Sequence, residues 1–220
     1  GIGVGFDTVG QDKNFQIYTP TEPVSVFEIP DTREGWVESV RLLLNSYLRP
    51  NQSIQHFNYD LIRPLGAPIK GFGGVASGPA PLIQLHTQID RVIGGRVGET
   101  LDSRAITDII NLIGTCVVSG NVRRSAIIIL GDPWDKEYLK AKRWDLGSIP
   151  TQRAMANFSV VVDDVEDLHP LFWKTYEAGE PFGIVNSTNI QTYGRMGERK
   201  KDTAIGVNPC AEATLEGGPR

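Results

Sequence analysis

The chain is poor in sulfur and in histidine, with 2 cysteines, 2 methionines and 3 histidines among 220 residues. Two cysteines are too few for a disulfide-stapled scaffold. Neither sits in a Cys-x-x-Cys or Cys/His spacing that suggests a zinc site, so a reducing cytoplasm is the expected compartment. No apolar run approaches the roughly 20 residues that a membrane helix needs, and the first ten residues lack the basic and apolar regions of a secretion signal. An excess of positive charge is missing too. With 22 basic and 26 acidic side chains the net charge is −4, which excludes a generic polyanion-binding surface and makes nucleic acid and membranes unexpected partners. The remainder, 40% hydrophobic and 22% charged residues, is the composition of an ordinary folded chain. There is no initiator Met, and the final residues run into Gly217-Gly218-Pro219, so an internal piece of a longer protein is expected.

Apolar periodicity supplies the elements. Gly1-Ile2-Gly3-Val4-Gly5-Phe6 alternates glycine with apolar residues, as a close-packed strand or a ligand-approaching loop does. Val24 to Phe27 reads as a strand. A helix is expected from Asp31, which caps it with Glu34 three residues on, and Trp36, Val40, Leu43, Leu44 and Tyr47 follow at helical spacing up to Arg49-Pro50. Gly35 in its first turn suggests that something approaches that backbone closely. Residues 58–82 contain too many glycines and prolines for a helix and read as irregular backbone whose amides suit an anion or a ribose, or as a plain connection. The clearest helix runs from Asp102 to Val118, with Ile106, Ile109, Ile110, Ile113, Cys116 and Val117 on one face; Cys116 is there a small core hydrophobe. Beyond the Gly120-Asn121 stop, strands at Ala126–Leu130, Phe158–Val162 and Phe182–Val185 alternate with helices at 134–142 and 171–178, before a basic loop at 195–201. This order favours an α/β sheet or barrel over an all-β sandwich.

Chemistry concentrates near the end, in Gly206-Val207-Asn208-Pro209-Cys210-Ala211-Glu212. Pro209 biases Asn208 towards an extended conformation, in which alternate side chains share a face and Asn208, Cys210 and Glu212 project together. An amide, a sulfur and a carboxylate side by side can hold a diol, exchange a hydrogen atom or attack, and move a proton. The adjacent carboxylate disfavours a thiolate nucleophile by repulsion, whereas radical chemistry on a neutral thiol is compatible with it. The structural alternative is a strand end with a packed cysteine and a solvated glutamate.

Seven segments in order carry a family resemblance: Gly1 to Phe6; Pro30-Asp31-Thr32-Arg33-Glu34-Gly35-Trp36-Val37; Ile62-Arg63-Pro64 with Gly66-Ala67; Gly71-Phe72-Gly73-Gly74 with Ala76-Ser77-Gly78-Pro79; Asn111-Leu112-Ile113-Gly114; Gly120-Asn121-Val122-Arg123-Arg124-Ser125-Ala126; and Asn208 to Glu212. Together they resemble the adenosylcobalamin-dependent ribonucleoside-triphosphate reductases, the monomeric class II ribonucleotide reductases. The resemblance covers roughly a third of a family protein. It implies an α/β fold, a partial ten-stranded barrel of which residues 1–220 supply the N-terminal half, with residues 13–58 as an inserted helical effector-site segment.

It further implies reduction of ribonucleotides, as triphosphates, to deoxyribonucleotides for DNA synthesis. Cys210 would carry a thiyl radical generated with adenosylcobalamin, Glu212 would accept the 3′-hydroxyl proton, and Asn208 would hydrogen-bond the ribose hydroxyls. Gly120, Asn121, Arg123, Arg124 and Ser125, with Ser77 and Gly78, would contact substrate and the deoxynucleotide effector. No side-chain metal ligand is expected. Thioredoxin or a similar dithiol would be the reductant, and the inserted segment favours a monomer. One reducing cysteine of the family would precede Gly1 and its partner would follow the last residue, so the piece alone is expected to be inactive. Ile2, Ile127 and Phe158 depart from the family's usual Gly, Glu and Asn, and Cys116 stands where some relatives have Ala. A dimeric or metal-cofactor reductase and a non-catalytic nucleotide-binding module remain the alternative readings.

Overall fold

The computed structural model describes residues 3–9, 15–22, 26–53, 56–71, 73–120, 125–178, 182–193, 195–196 and 202–216. Expectations placed on Gly1, Ile2, Val24, Ser25, Phe72, Asn121, Arg123, Arg124 and most of the basic loop lie outside these residues. The chain divides into two compact units, one of residues 1–10, 106–114 and 125–220, the other of residues 11–105 and 115–124.

The first unit is built on a four-stranded sheet. Strands β1 (Gly3–Asp7), β4 (Ala126–Gly131), β5 (Ala156–Val162) and β6 (Gly183–Asn186) lie in the order β1-β4-β5-β6, and all three pairings are parallel. This is the α/β class expected from strands alternating with helices, since parallel neighbours need crossovers, here containing α4 (Lys136–Lys140) and α5 (Pro170–Glu177). The register puts Gly5, Ile128 and Asn157 in one row and Ala126 opposite Gly3.

The two faces of the sheet differ. Ile127, Ile129, Ala156, Phe158, Val160 and Val162 enter a core with Tyr138, Leu139, Phe172 and Phe182 from the helical side. Tyr138 stacks on Phe158 with centroids 5.5 Å apart, and its hydroxyl lies 2.8 Å from the carbonyls of both Ile129 and Ser159. On the opposite face Ile128, Leu130 and Val185 pack with Val207 of strand β7 (Ala204–Val207). The departures at Ile127 and Phe158 therefore fall on the helical side, where both are core residues with 4% and 1% exposure.

Helix α3 (Ser103–Val118) begins as expected, with Asp102 accepting from the Ala105 amide at 2.7 Å. Its buried residues differ from the expected stripe: Ser103, Thr107, Asp108, Ile109, Asn111 and Leu112 are buried, whereas Val117 is 42% exposed and Cys116 is half-buried. A charge explains part of the difference. Arg153 makes a bidentate pair with Asp108, both contacts 2.6 Å, and donates to the Ala141 carbonyl at 2.7 Å. A guanidinium buried to this depth needs such a partner, and its fork engages both carboxylate oxygens.

The second unit joins strands β2 (Val26–Glu28) and β3 (His56–Asn58) in a parallel pair around α1 (Arg33–Leu48), against which α2 (Ala80–Gly94) packs. The α1 cap is Thr32, whose hydroxyl accepts from the Gly35 amide at 3.0 Å. Asp31, the expected cap, instead pairs with Arg63 at 2.6 Å and so joins two of the motif segments. The close approach at Gly35 comes from the chain itself, since a Cβ there would lie 2.5 Å from the Pro30 carbonyl oxygen. Helix α2 was not expected. Before it, Gly66, Gly71, Gly73, Gly74 and Gly78 all have positive φ, which accounts for the irregular backbone over that part of residues 58–82.

His86 of α2 ties this unit together. The Ser39 hydroxyl donates to the Trp36 carbonyl, so the His86 Nε2–H donates to Ser39 Oγ at 3.0 Å, while the Tyr59 hydroxyl donates to Nδ1 at 2.7 Å. Both ring nitrogens are thereby used in the neutral form, and burial pushes the imidazole down to about 4.

Two outcomes are expected for stability. Arg153→Ala should lower the unfolding free energy by about 3–5 kcal/mol, because it strands the Asp108 carboxylate, whereas Asp108→Leu with Arg153→Met should recover most of that loss in denaturant titrations. His86 is neutral when folded and has an ordinary value of 6.5 when unfolded, so its contribution is complete above that pH and is lost as pH falls towards about 4. The loss should total about 3 kcal/mol, and His86→Gln should remove this part of the pH dependence of thermal unfolding.

Candidate active site

Glycine in β1 seats the cysteine. A Cβ on Gly5 would lie 2.7 Å from the Val207 carbonyl oxygen, and one on Gly3 would lie 2.7 Å from Cδ of Pro209. The backbone of β7 therefore runs directly over β1 and delivers Asn208-Pro209-Cys210 to the end of the sheet where β1, β4 and β5 begin. Ser125 leads into the first residue of β4 at that same end.

The segment after β7 is a turn and not the extended strand expected from Pro209. The Asn208 amide donates to the Ala213 carbonyl at 3.0 Å, the Ala211 amide donates to the Asn208 carbonyl at 2.8 Å, and the chain returns as β8 (Thr214–Glu216), antiparallel to β7. Two local features overrule strict alternation. Asn208 Oδ1 accepts from the Ala213 amide at 2.9 Å, as an Asn side chain at the start of a turn can, and Ala211 adopts a φ of 62°. Asn208, Cys210 and Glu212 lie on this one turn and not on a shared strand face. Cys210 and Glu212 are exposed, and Asn208 is half-buried.

A residue outside the sequence candidates touches this turn. Asn157 Nδ2 donates to the Pro209 carbonyl at 3.4 Å, and its Oδ1 accepts from Ser159 Oγ at 2.9 Å. The signal was in β5: Ala156, Phe158, Val160 and Val162 are apolar at every second position, which puts Asn157 and Ser159 on the opposite face. The other candidates lie in the second unit, where Ser77 and Gly78 stand beside Gly120. A Cβ on Gly120 would meet that of Ser77 at 3.5 Å, and Gly78, with φ of 71°, fits under the Leu65 backbone. Among the described residues no group of three or more His, Cys, Asp or Glu side chains is placed to hold a metal ion. Cys116 differs from Cys210, since burial pushes its thiol up to about 11.

An α/β protein with a parallel sheet, carrying an exposed cysteine flanked by an amide and a carboxylate on a turn over a glycine strand, belongs to a narrow class. Comparison with known proteins specifies it. A family model described as the insertion domain of B12-dependent ribonucleotide reductase matches residues 5–93. The chain is 40% identical to the "Probable adenosylcobalamin-dependent ribonucleoside-triphosphate reductase" of Dictyostelium discoideum over 98% of its own length and 31% of that protein. It is 38% identical to the adenosylcobalamin-dependent ribonucleoside-triphosphate reductase of Euglena gracilis, over 98% of this chain and 30% of that one. A crystal structure of a B12-dependent (class II) ribonucleotide reductase superposes with a TM-score of 0.77 at 28% identity, covering 97% of this chain and 35% of the other. Over nearly its whole length the chain is similar to B12-dependent, class II ribonucleotide reductases, and it spans about a third of the length of these relatives.

The seat of the turn is open to test. Gly5→Ala places a methyl against a backbone oxygen that cannot swing aside, so it should cost about 1–3 kcal/mol in denaturant unfolding.

Proposed function

We propose that this chain supplies the radical-bearing part of an enzyme that reduces ribonucleoside triphosphates to deoxyribonucleotides for DNA synthesis. The observation that carries the reading is the exposed Cys210 on its turn between Asn208 and Glu212, in a chain whose relatives are named as adenosylcobalamin-dependent ribonucleoside-triphosphate reductases. An exposed thiol suits the loss of its hydrogen atom to a group brought by a cofactor. Adenosylcobalamin, when bound, supplies a carbon-centred radical by homolysis of its cobalt–carbon bond.

The chain's own residues then divide the work. Cys210 gives up its S–H hydrogen, and the resulting thiyl takes the 3′ hydrogen of the ribose. Glu212 accepts the proton of the 3′ hydroxyl, and the Asn208 NH2 group donates to a ribose hydroxyl while its oxygen is engaged within the turn. Arg123 and Arg124, in the loop from Gly120 to Ser125, relay effector identity to the substrate base, with Ser77 and Gly78 beside Gly120. Residues 13–58 form the effector-site segment, and the match of residues 5–93 to the family's insertion domain supports this assignment. Thioredoxin or another dithiol restores the reduced enzyme, and the full-length enzyme acts as a monomer.

Replacement of Cys210 by Ser in the full-length protein decides the matter. With adenosylcobalamin, a dithiol and a ribonucleotide under anaerobic conditions, turnover should fall by roughly three orders of magnitude or more, with nucleotide binding unchanged. Retained deoxyribonucleotide formation would reject the radical role and leave a nucleotide-binding module.

A further inference from the structure

The Pro209 carbonyl occupies a special place in the turn. It belongs to the planar peptide that joins Pro209 to Cys210, so whatever holds this oxygen also sets the plane from which the Cys210 side chain departs. The turn's internal hydrogen bonds use the Asn208 amide, carbonyl and side-chain oxygen, and the Ala211 and Ala213 amides. The Pro209 oxygen is held from outside by Asn157 Nδ2 at 3.4 Å.

Asn157 is itself held. Its Oδ1 accepts from Ser159 Oγ at 2.9 Å, and Ser159 is 1% exposed. The Ser159 amide donates to the Tyr138 hydroxyl at 3.1 Å, anchoring the strand to the aromatic core. A side chain on Gly183 of the neighbouring strand would overlap Ser159 Oγ, so the glycine makes room for this pair. The Ser159 hydroxyl holds the carboxamide in place, and the Pro209 oxygen, which can only accept, sets which end faces it. Turned over, it would present oxygen to the Pro209 oxygen, acceptor to acceptor.

We propose that Asn157, oriented by Ser159, is a positioning residue for Cys210: it fixes the Pro209–Cys210 peptide plane and with it the direction of the thiol. The bond is long and exposed, so its effect is on direction and contributes little to stability. As a statement about catalysis this rests on the function proposed above.

The test uses the full-length protein with Asn157→Ala and Asn157→Asp, the second keeping the shape of the side chain but lacking the donor. Both should unfold at the wild-type temperature. Both should lower kcat by about 10–100-fold with KM little changed, since misplacement of a reacting atom acts on the chemical step. Alkylation of Cys210 by iodoacetamide, read on its own peptide by mass spectrometry, should become severalfold faster in both. Wild-type kcat and alkylation in Asn157→Ala, or recovery of both in Asn157→Asp, would overturn the proposal. If Asn157→Ala fails to fold, Ser159→Ala should shift both readouts in the same direction, and no shift would overturn it. Should Cys210→Ser retain turnover, the radical reading falls, while the alkylation comparison still decides whether Asn157 sets the thiol.

Discussion

The backbone of β7 lies on β1 because positions 3 and 5 carry no side chains, and the placement of the cysteine turn depends on that contact. A hydrophobic residue at either position would lift β7 away from the sheet, since the atoms opposite are a backbone oxygen and a proline ring that cannot rotate aside. The alternating glycines at the start of the chain and the Asn-Pro-Cys segment two hundred residues later are therefore two sides of one contact. Val207 completes it by packing against Ile128, Leu130 and Val185, so the strand is anchored by apolar burial just before the chain turns.

The sheet has divided its labour between faces. The helical side is aromatic and aliphatic, with Tyr138, Phe158, Phe172 and Phe182 in mutual contact and Lys142 laid over the Phe158 ring. The other side carries the small or polar Gly3, Gly5, Asn157, Ser159 and Gly183 alongside Ile128 and Leu130, which pack with Val207. Ile127 and Phe158 fall on that first face and contribute to packing; Gly114 of the Asn-Leu-Ile-Gly motif is there because the Ile127 side chain lies against it.

Strong local signals were legible in the sequence. The Asp102 cap, the apolar run of β4 and the β5 strand all stand where periodicity placed them, because each is specified by residues within a few positions. Helix α2 is hard to read from the sequence because it follows a glycine-rich loop and opens within Pro79-Ala80-Pro81, although Leu82, Leu85, Ile89 and Ile93 repeat at helical spacing and are buried. The α1 cap moved by one residue since Arg63, distant in sequence, claims Asp31. The polar side of α3 was hidden for a similar reason: nothing near Asp108 announces that Arg153 will neutralise it. Local chemistry was sufficient where partners are local and insufficient where a long-range ion pair decides.

The turn at Asn208 illustrates the limit at the site itself. Proline argues for extension of the residue before it, but that preference acts on one residue's backbone and does not extend to Cys210, Ala211 or Glu212. Asn208 can close a turn through its own oxygen, and a single left-handed residue at Ala211 reverses the chain. The outcome is chemically different from a strand. On a strand the three candidate side chains would stand about two residues' rise apart in a row, each fixed by the sheet. On a turn they share one short, internally bonded loop, and the thiol's direction is then set by whatever fixes that loop to the scaffold. Among the described residues, glycine clearance below and the Asn157 carboxamide beside it both touch that loop. Of the two cysteines, only the one on this turn is exposed; Cys116 is half-buried on α3, and burial pushes its thiol up.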